Sequence, residues 1–90
     1  MKKIVITVVG KDKVGIIAKT CNYLAENSIN ILDISQTIVD GFFNMMMVAE
    51  WNPDVKDFPV MQKELEEIGR NIGVVIQTQL ADIFDRMHRL

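Results

Sequence analysis

Gly10 and Gly15 enclose Lys11, Asp12, Lys13 and Val14, directly after an apolar run and directly before a helical pattern. G-x-x-x-x-G in that setting is the first half of a phosphate loop, whose backbone N–H groups cradle phosphates. The second half requires Lys and then Ser or Thr, to reach the outer phosphates and hold Mg²⁺. Ile16 and Ile17 stand in those places. Nucleotide chemistry is therefore excluded, and the charges and glycines of this loop need another use.

Other catalytic chemistry has few candidates. His88 is the sole histidine and lies beside Arg86 and Arg89 near the end of the chain, where a solvated or helix-end role suits it better than general-base work. Cys21 is the single cysteine, so it makes no internal disulfide and fits a reducing compartment. It falls on an apolar helical stripe, which predicts core packing; a reactive thiol needs exposure and a positive setting. No Cys or His pair has metal-ligand spacing, and the C-x-x-C loop that heavy-metal-binding domains carry after their first strand is missing from GKDKVG. Met45, Met46 and Met47 read as adaptable filler of a half-buried strand. Glu64, Glu66, Glu67 and Arg70 read as a solvated helix face. Neither an enzyme nor a cofactor or metal is expected.

The elements that would position these residues follow from hydrophobic periodicity. KKIVITVV is β-branched and bounded by Gly10, which predicts a buried strand. From Val14 the period becomes helical, with Val14, Ile17, Ala18, Cys21, Leu24 and Ala25 on one stripe, Asp12 placed as the cap, and Asn27-Ser28 as the end. In NILDISQTIV, Leu32, Ile34 and Ile38 share one parity with Asn30 and Gln36, and Asp33, Ser35 and Thr37 take the other. Asp40-Gly41 predicts a hairpin into FFNMMMVAEW, with Phe43, Met45, Met47, Ala49 and Trp51 on the covered face and Asn44, Met46 and Glu50 on the open one. Pro59 opens a second helix whose buried stripe is Phe58, Met61, Leu65, Ile68 and Ile72, and Gly73 closes it. The last strand is VVIQTQLA; the tail DIFDRMHRL, about 82–90, puts Ile83, Phe84, Met87 and Leu90 on one helical stripe.

The order strand, helix, strand, strand, helix, strand predicts an α+β, ferredoxin-like βαββαβ domain. A four-stranded antiparallel sheet would carry two helices on one face, followed by a short C-terminal helix. At 90 residues one domain spanning 1–90 is expected, with a thin core that self-association would support. Hydrophobic residues at 49% and charged residues at 24% mark a packed globule rather than a disordered chain. The net charge of −2 opposes a nucleic-acid or anionic-membrane surface. It also counts against RNA recognition through Phe42, Phe43 and Trp51, two of which have the covered-face parity. The run Ile4 to Val9 is too short for a signal peptide and no run approaches the ~20 residues of a membrane span, so a soluble cytoplasmic protein is expected.

With this topology in place, GKDKVGIIAKTCNYLAENSINILDISQ resembles the opening of an ACT domain, the small-molecule-binding regulatory module of amino-acid metabolism. The carrying residues are G-x-D-x-x-G-I-I-A, the helix end L-A-E-N, and N-I-x-D-x-S-Q at the next strand. The chain is similar above all to single-domain, stand-alone ACT proteins, some of which share the GFF turn and a tail like DIFDRMHR. The resemblance implies a homodimer with a continuous sheet, and possible assembly into a tetramer. It implies an amino acid or similar metabolite at the dimer interface, and control of an unknown partner protein in trans. It places the ligand between Asp12, Lys13, Val14, Gly15 and Ile16 of one subunit and Asn30, Ile31 and Leu32 of the other.

Such residues are chemically suited to that role. Gly15 lets a ligand approach the helix start, whose free N–H groups favour a carboxylate, and Asn30 offers donor and acceptor to a zwitterion. Each has a plainer use as well. Asp12 serves as a cap or meets an ammonium group; Gly15 allows close packing; Asn30 and Gln36 satisfy local hydrogen bonds; Lys11 and Lys13 are solvated. A protein-interaction or oligomerisation module with no metabolite is the competing reading.

Overall fold

A computed structural model describes residues 2–11 and 15–82. The elements run β1 (Lys2–Lys11), α1 (Ile16–Glu26), β2 (Asn30–Val39), β3 (Phe42–Trp51), α2 (Phe58–Ile72) and β4 (Val74–Leu80). They form a four-stranded antiparallel sheet in the order β2-β3-β1-β4, with two helices, as the ferredoxin-like pattern predicts. Asp12, Lys13 and Val14, and the tail beyond Asp82 with its apolar stripe, lie outside the described residues.

The alternation of β3 is realised. Phe43, Met45, Met47, Ala49 and Trp51 are buried beneath the helices together with Ile4, Ile6 and Val8 of β1. Met61 and Leu65 of α2 close over this layer, flanked by half-buried Phe58, Ile68 and Ile72. Gly69 completes the same stripe, because a Cβ there would sit 2.8 Å from the Val74 carbonyl oxygen. Only a glycine lets α2 approach β4 this closely. Asp40 and Gly41 both take positive φ, 52° and 80°, as the tight hairpin turn between β2 and β3 requires.

Two elements depart from the expected pattern. In α1 the buried residues are Ile16, Thr20 and Leu24; Cys21 is only half-buried, while Ile17, Ala18 and Ala25 are exposed. The helix is turned so that Thr20 enters the core, its hydroxyl satisfied by donating to the Ile16 carbonyl at 2.9 Å. A back-bonded threonine is compatible with burial, which composition alone does not reveal.

In β2 the register shifts between Ile31 and Asp33, which pair with Ala49 and Val48, so Leu32 is an extra residue in a β-bulge. Ile31 faces the helix layer before the bulge, and Ile34, Gln36 and Ile38 face it afterwards. Asn30 therefore does not share their face. Because β2 is an edge strand that α1 barely covers, every residue of it except Ile31 is exposed.

Candidate functional site

The loop end of the expected site is built around Gly15. It occupies the N-cap position of α1 at φ 93°, in the left-handed region that side chains other than Asn and Asp avoid. The N-cap position therefore falls to Gly15, three residues after Asp12. Gly15 has no side chain with which to cap α1, and the capping role expected of Asp12 lies outside the described residues. Among the described residues nothing lies within 4 Å of where a Gly15 Cβ would project, so it is backbone conformation that calls for glycine here. Ile16 is 2% exposed and its side chain belongs to the core, leaving only its backbone to face a ligand.

The second half sits elsewhere. Asn30 opens β2 opposite Glu50, exposed at the rim of the sheet, with half-buried Ile31 and the bulged, exposed Leu32 beside it. The loop end lies where Gly10 pairs with Phe43 and Lys11 with Phe42. From Phe43 to Glu50 is seven residues of β3, about 23 Å along the sheet. One chain therefore holds the two halves at opposite ends. Val39, the last residue of β2, also pairs with Phe42 and so lies at the loop end.

Periodicity missed two features. The apolar side chains of Ile17 and Ile38, read as core, instead line a notch of about 420 Å³ with Gln36, Thr37 and Phe43. It lies between α1 and the part of β2 that α1 leaves uncovered. The signal that could have revealed it is an excess of apolar residues on α1, more than one face can bury.

The other is a polar clamp. Glu64, read as part of a solvated face, accepts on one oxygen from the Tyr23 hydroxyl at 2.7 Å and from Lys56 Nζ at 2.5 Å. Lys56 Nζ lies 5.4 Å from the centre of the Tyr23 ring, and its carbonyl accepts from Trp51 Nε1 at 2.7 Å. The hydrogen bond from Lys56, then that from Tyr23, holds Glu64 below its ordinary carboxylate value. Burial first, and then Glu64, pushes the Tyr23 phenol up, so it remains a donor. The cluster joins α1, the segment after β3, and α2; every charge in it is matched. It is a brace rather than a reactive centre.

A smaller hollow of about 240 Å³ lies on the sheet face away from the helices, lined by Thr7, Ser35, Thr37, Asn44 and Met46 among others. Among the described residues no cluster of three or more His, Cys, Asp or Glu side chains could hold a metal ion, and no helix is long and apolar enough to cross a membrane.

Comparison with known proteins supplies the context for this arrangement. Residues 2–79 match the ACT domain family. A UPF0237 protein of Bifidobacterium longum is 53% identical over 90 residues, which is 100% of both chains. An ACT domain protein from Streptococcus pneumoniae superposes with a TM-score of 0.82 at 44% identity, covering 93% of this chain and 94% of that one. The regulatory subunit of aspartate kinase from Thermus thermophilus has a TM-score of 0.65 at 26% identity, covering 88% of this chain and 51% of its own.

Proposed function

Because this chain belongs to the ACT domain family, whose members are regulatory ligand-binding domains, we propose that it pairs with a second copy along β2 and binds an amino acid or related metabolite at the seam. It reports that ligand in trans to a partner enzyme or regulator, without catalysis of its own. The observation that carries this reading is the separation of the two halves of the site within one chain. β2 is an edge strand with an unpaired ladder of backbone groups. Two such strands paired antiparallel about a two-fold axis would bring Asn30, Ile31 and Leu32 of each copy to the Val39 end of the other. There the Gly15 loop of the neighbour stands. The first N–H groups of α1 then receive a carboxylate, and Asn30 of the second copy receives the ammonium group. Asp12, Lys13 and Val14 belong to this loop and are assigned to the same site.

The test is a thermal-shift screen of the purified protein against amino acids and related metabolites. A ligand at ~100 times its dissociation constant adds roughly 2.7 kcal/mol of stability. Gly15→Val, which puts a side chain at a strained φ, and Asn30→Ala should each abolish the shift. A dimer that no candidate stabilises, or a hit indifferent to both substitutions, refutes the proposal.

The open sheet face favours a second reading. Val9, Met46 and Val75 are exposed there among polar neighbours, which suits a protein partner that needs no metabolite. Capture of a stoichiometric partner by ligand-free protein, unaffected by Gly15→Val, would select that reading.

A further inference from the structure

The notch between α1 and β2 opens beside the proposed interface, and its described walls are apolar or neutral. Ile17 is 41% exposed and Ile38 is 60% exposed; Phe43, at the base, belongs to the core. Gln36 adds a neutral polar group, and no charged side chain occurs among its described lining residues. Its position follows from the two departures already described. The rotation of α1 that buries Ile16 turns Ile17, the next residue, about 100° away from that core direction. The shifted parity of β2 points Gln36 and Ile38 into the strip that α1 leaves bare. Ile17 lies two residues after Gly15, so the notch adjoins the first turn of α1, where the head group of the ligand is assigned.

We propose that this notch is the side-chain pocket of the shared site, and that the ligand class it selects is α-amino acids with an uncharged, apolar side chain of aliphatic or aromatic type. The inference rests on the ligand-at-the-seam reading above and specifies it. Each methylene moved from water into such a pocket is worth about a fourfold gain in affinity. Aspartate, glutamate, lysine or arginine would have to shed water from a charged side chain against Ile17, Ile38 and Phe43, with no opposite charge among the described lining residues. The Gln36 amide satisfies a neutral polar atom and does not neutralise an ion, while Thr37 lines the edge with its side chain on the other face of the sheet. The cleft between α1 and α2, about 290 Å³ with Lys19 and Glu26 in its walls, has the reverse chemistry, but α1 separates it from the β2 edge. It does not adjoin the seam.

The experiment is calorimetric titration of the full-length protein with leucine, methionine and phenylalanine, and with serine, aspartate and lysine as the contrasting set. Ile17→Ser and Ile38→Ser are the variants; both sites are exposed, so either substitution leaves the core intact, and sedimentation follows the oligomer in parallel. The expected result is binding of the apolar set at least tenfold tighter than the contrasting set, with each serine variant losing tenfold or more for leucine. Equal or tighter binding of aspartate, lysine or serine overturns the pocket assignment while leaving an amino-acid-binding dimer in place. Variants that weaken the dimer and leave leucine affinity unchanged also overturn it, since the notch would then be filled by the second copy. A dimer that binds neither set refutes the ligand-at-the-seam reading itself.

Discussion

Replacement of Ile34 by threonine probes the proposed seam with little disturbance of the monomer. Threonine keeps the β-branch that suits a strand, and Ile34 lies on the edge strand, so the core is untouched. Burying a whole isoleucine side chain is worth about 1.5–3 kcal/mol. With Ile34 45% exposed in the single chain, covering the remainder contributes about 0.7–1.4 kcal/mol. A two-fold axis counts the substitution twice, and because threonine keeps one methyl, about 1.4–2.7 kcal/mol, a dimer weakened roughly ten- to ninety-fold, is the ceiling on the effect. Sedimentation equilibrium over a dilution series measures this directly, with circular dichroism confirming that each monomer is folded. Val75→Thr is the control: Val75 is 59% exposed, on β4 at the opposite edge of the sheet, and its replacement should leave the dimer constant unchanged. If Val75→Thr weakens the dimer and Ile34→Thr does not, the seam is not at β2 and the composite site dissolves with it.

Gly69→Ala should destabilise the fold even though alanine favours helix by about 1 kcal/mol, because the new Cβ meets the Val74 carbonyl oxygen at 2.8 Å and overpacking costs about 1–3 kcal/mol. A net loss near 1 kcal/mol lowers Tm by about 4–8 °C, read by a melting curve, and an unchanged or raised Tm refutes the tight α2–β4 approach. Glu64→Gln should lower Tm at neutral pH by weakening the brace to Lys56 and Tyr23. Since folding depresses the Glu64 pKa from its ordinary 4.5, the stabilisation is full above that value and is lost as pH falls through the lower, folded value. The Tm gap between wild type and variant should therefore close on acidification, and a gap that widens in acid contradicts the assignment.

The parts of this molecule legible in its sequence are those where one local rule acts alone. β3 alternates cleanly because helices cover one of its faces and not the other, and the turn at Asp40-Gly41 follows from two residues that tolerate positive φ. The pattern of α1 misleads because its apolar residues serve two directions, Ile16 and Leu24 toward the core and Ile17 toward the notch, and a single-stripe reading joins Ile17 to Leu24 and leaves Ile16 out. That of β2 misleads at Leu32, since period-two reasoning fails wherever a bulge inserts a residue, and nothing about Leu32 itself announces one. Glu64 resembles its solvated neighbours in sequence; only the fold brings Lys56 and Tyr23 to it. The halves of the candidate site are legible as motifs, GKDKVG and NILDISQ. Their placement at opposite ends of one sheet depends on strand order, which only long-range pairing decides.

The bulge at Leu32 also bears on how copies assemble. The sheet ends in two unlike edges, ten residues at β2 and seven at β4. Joining β2 to β2 closes after two copies, whereas joining β2 to β4 would repeat without limit, as heterologous contacts do. A bulge bends and twists a strand where it sits, and this one lies near the Asn30 end, leaving Asp33–Val39 in regular register. In the proposed pair that regular stretch is where two copies would meet, and deletion of Leu32 would extend it while leaving the core residues in place.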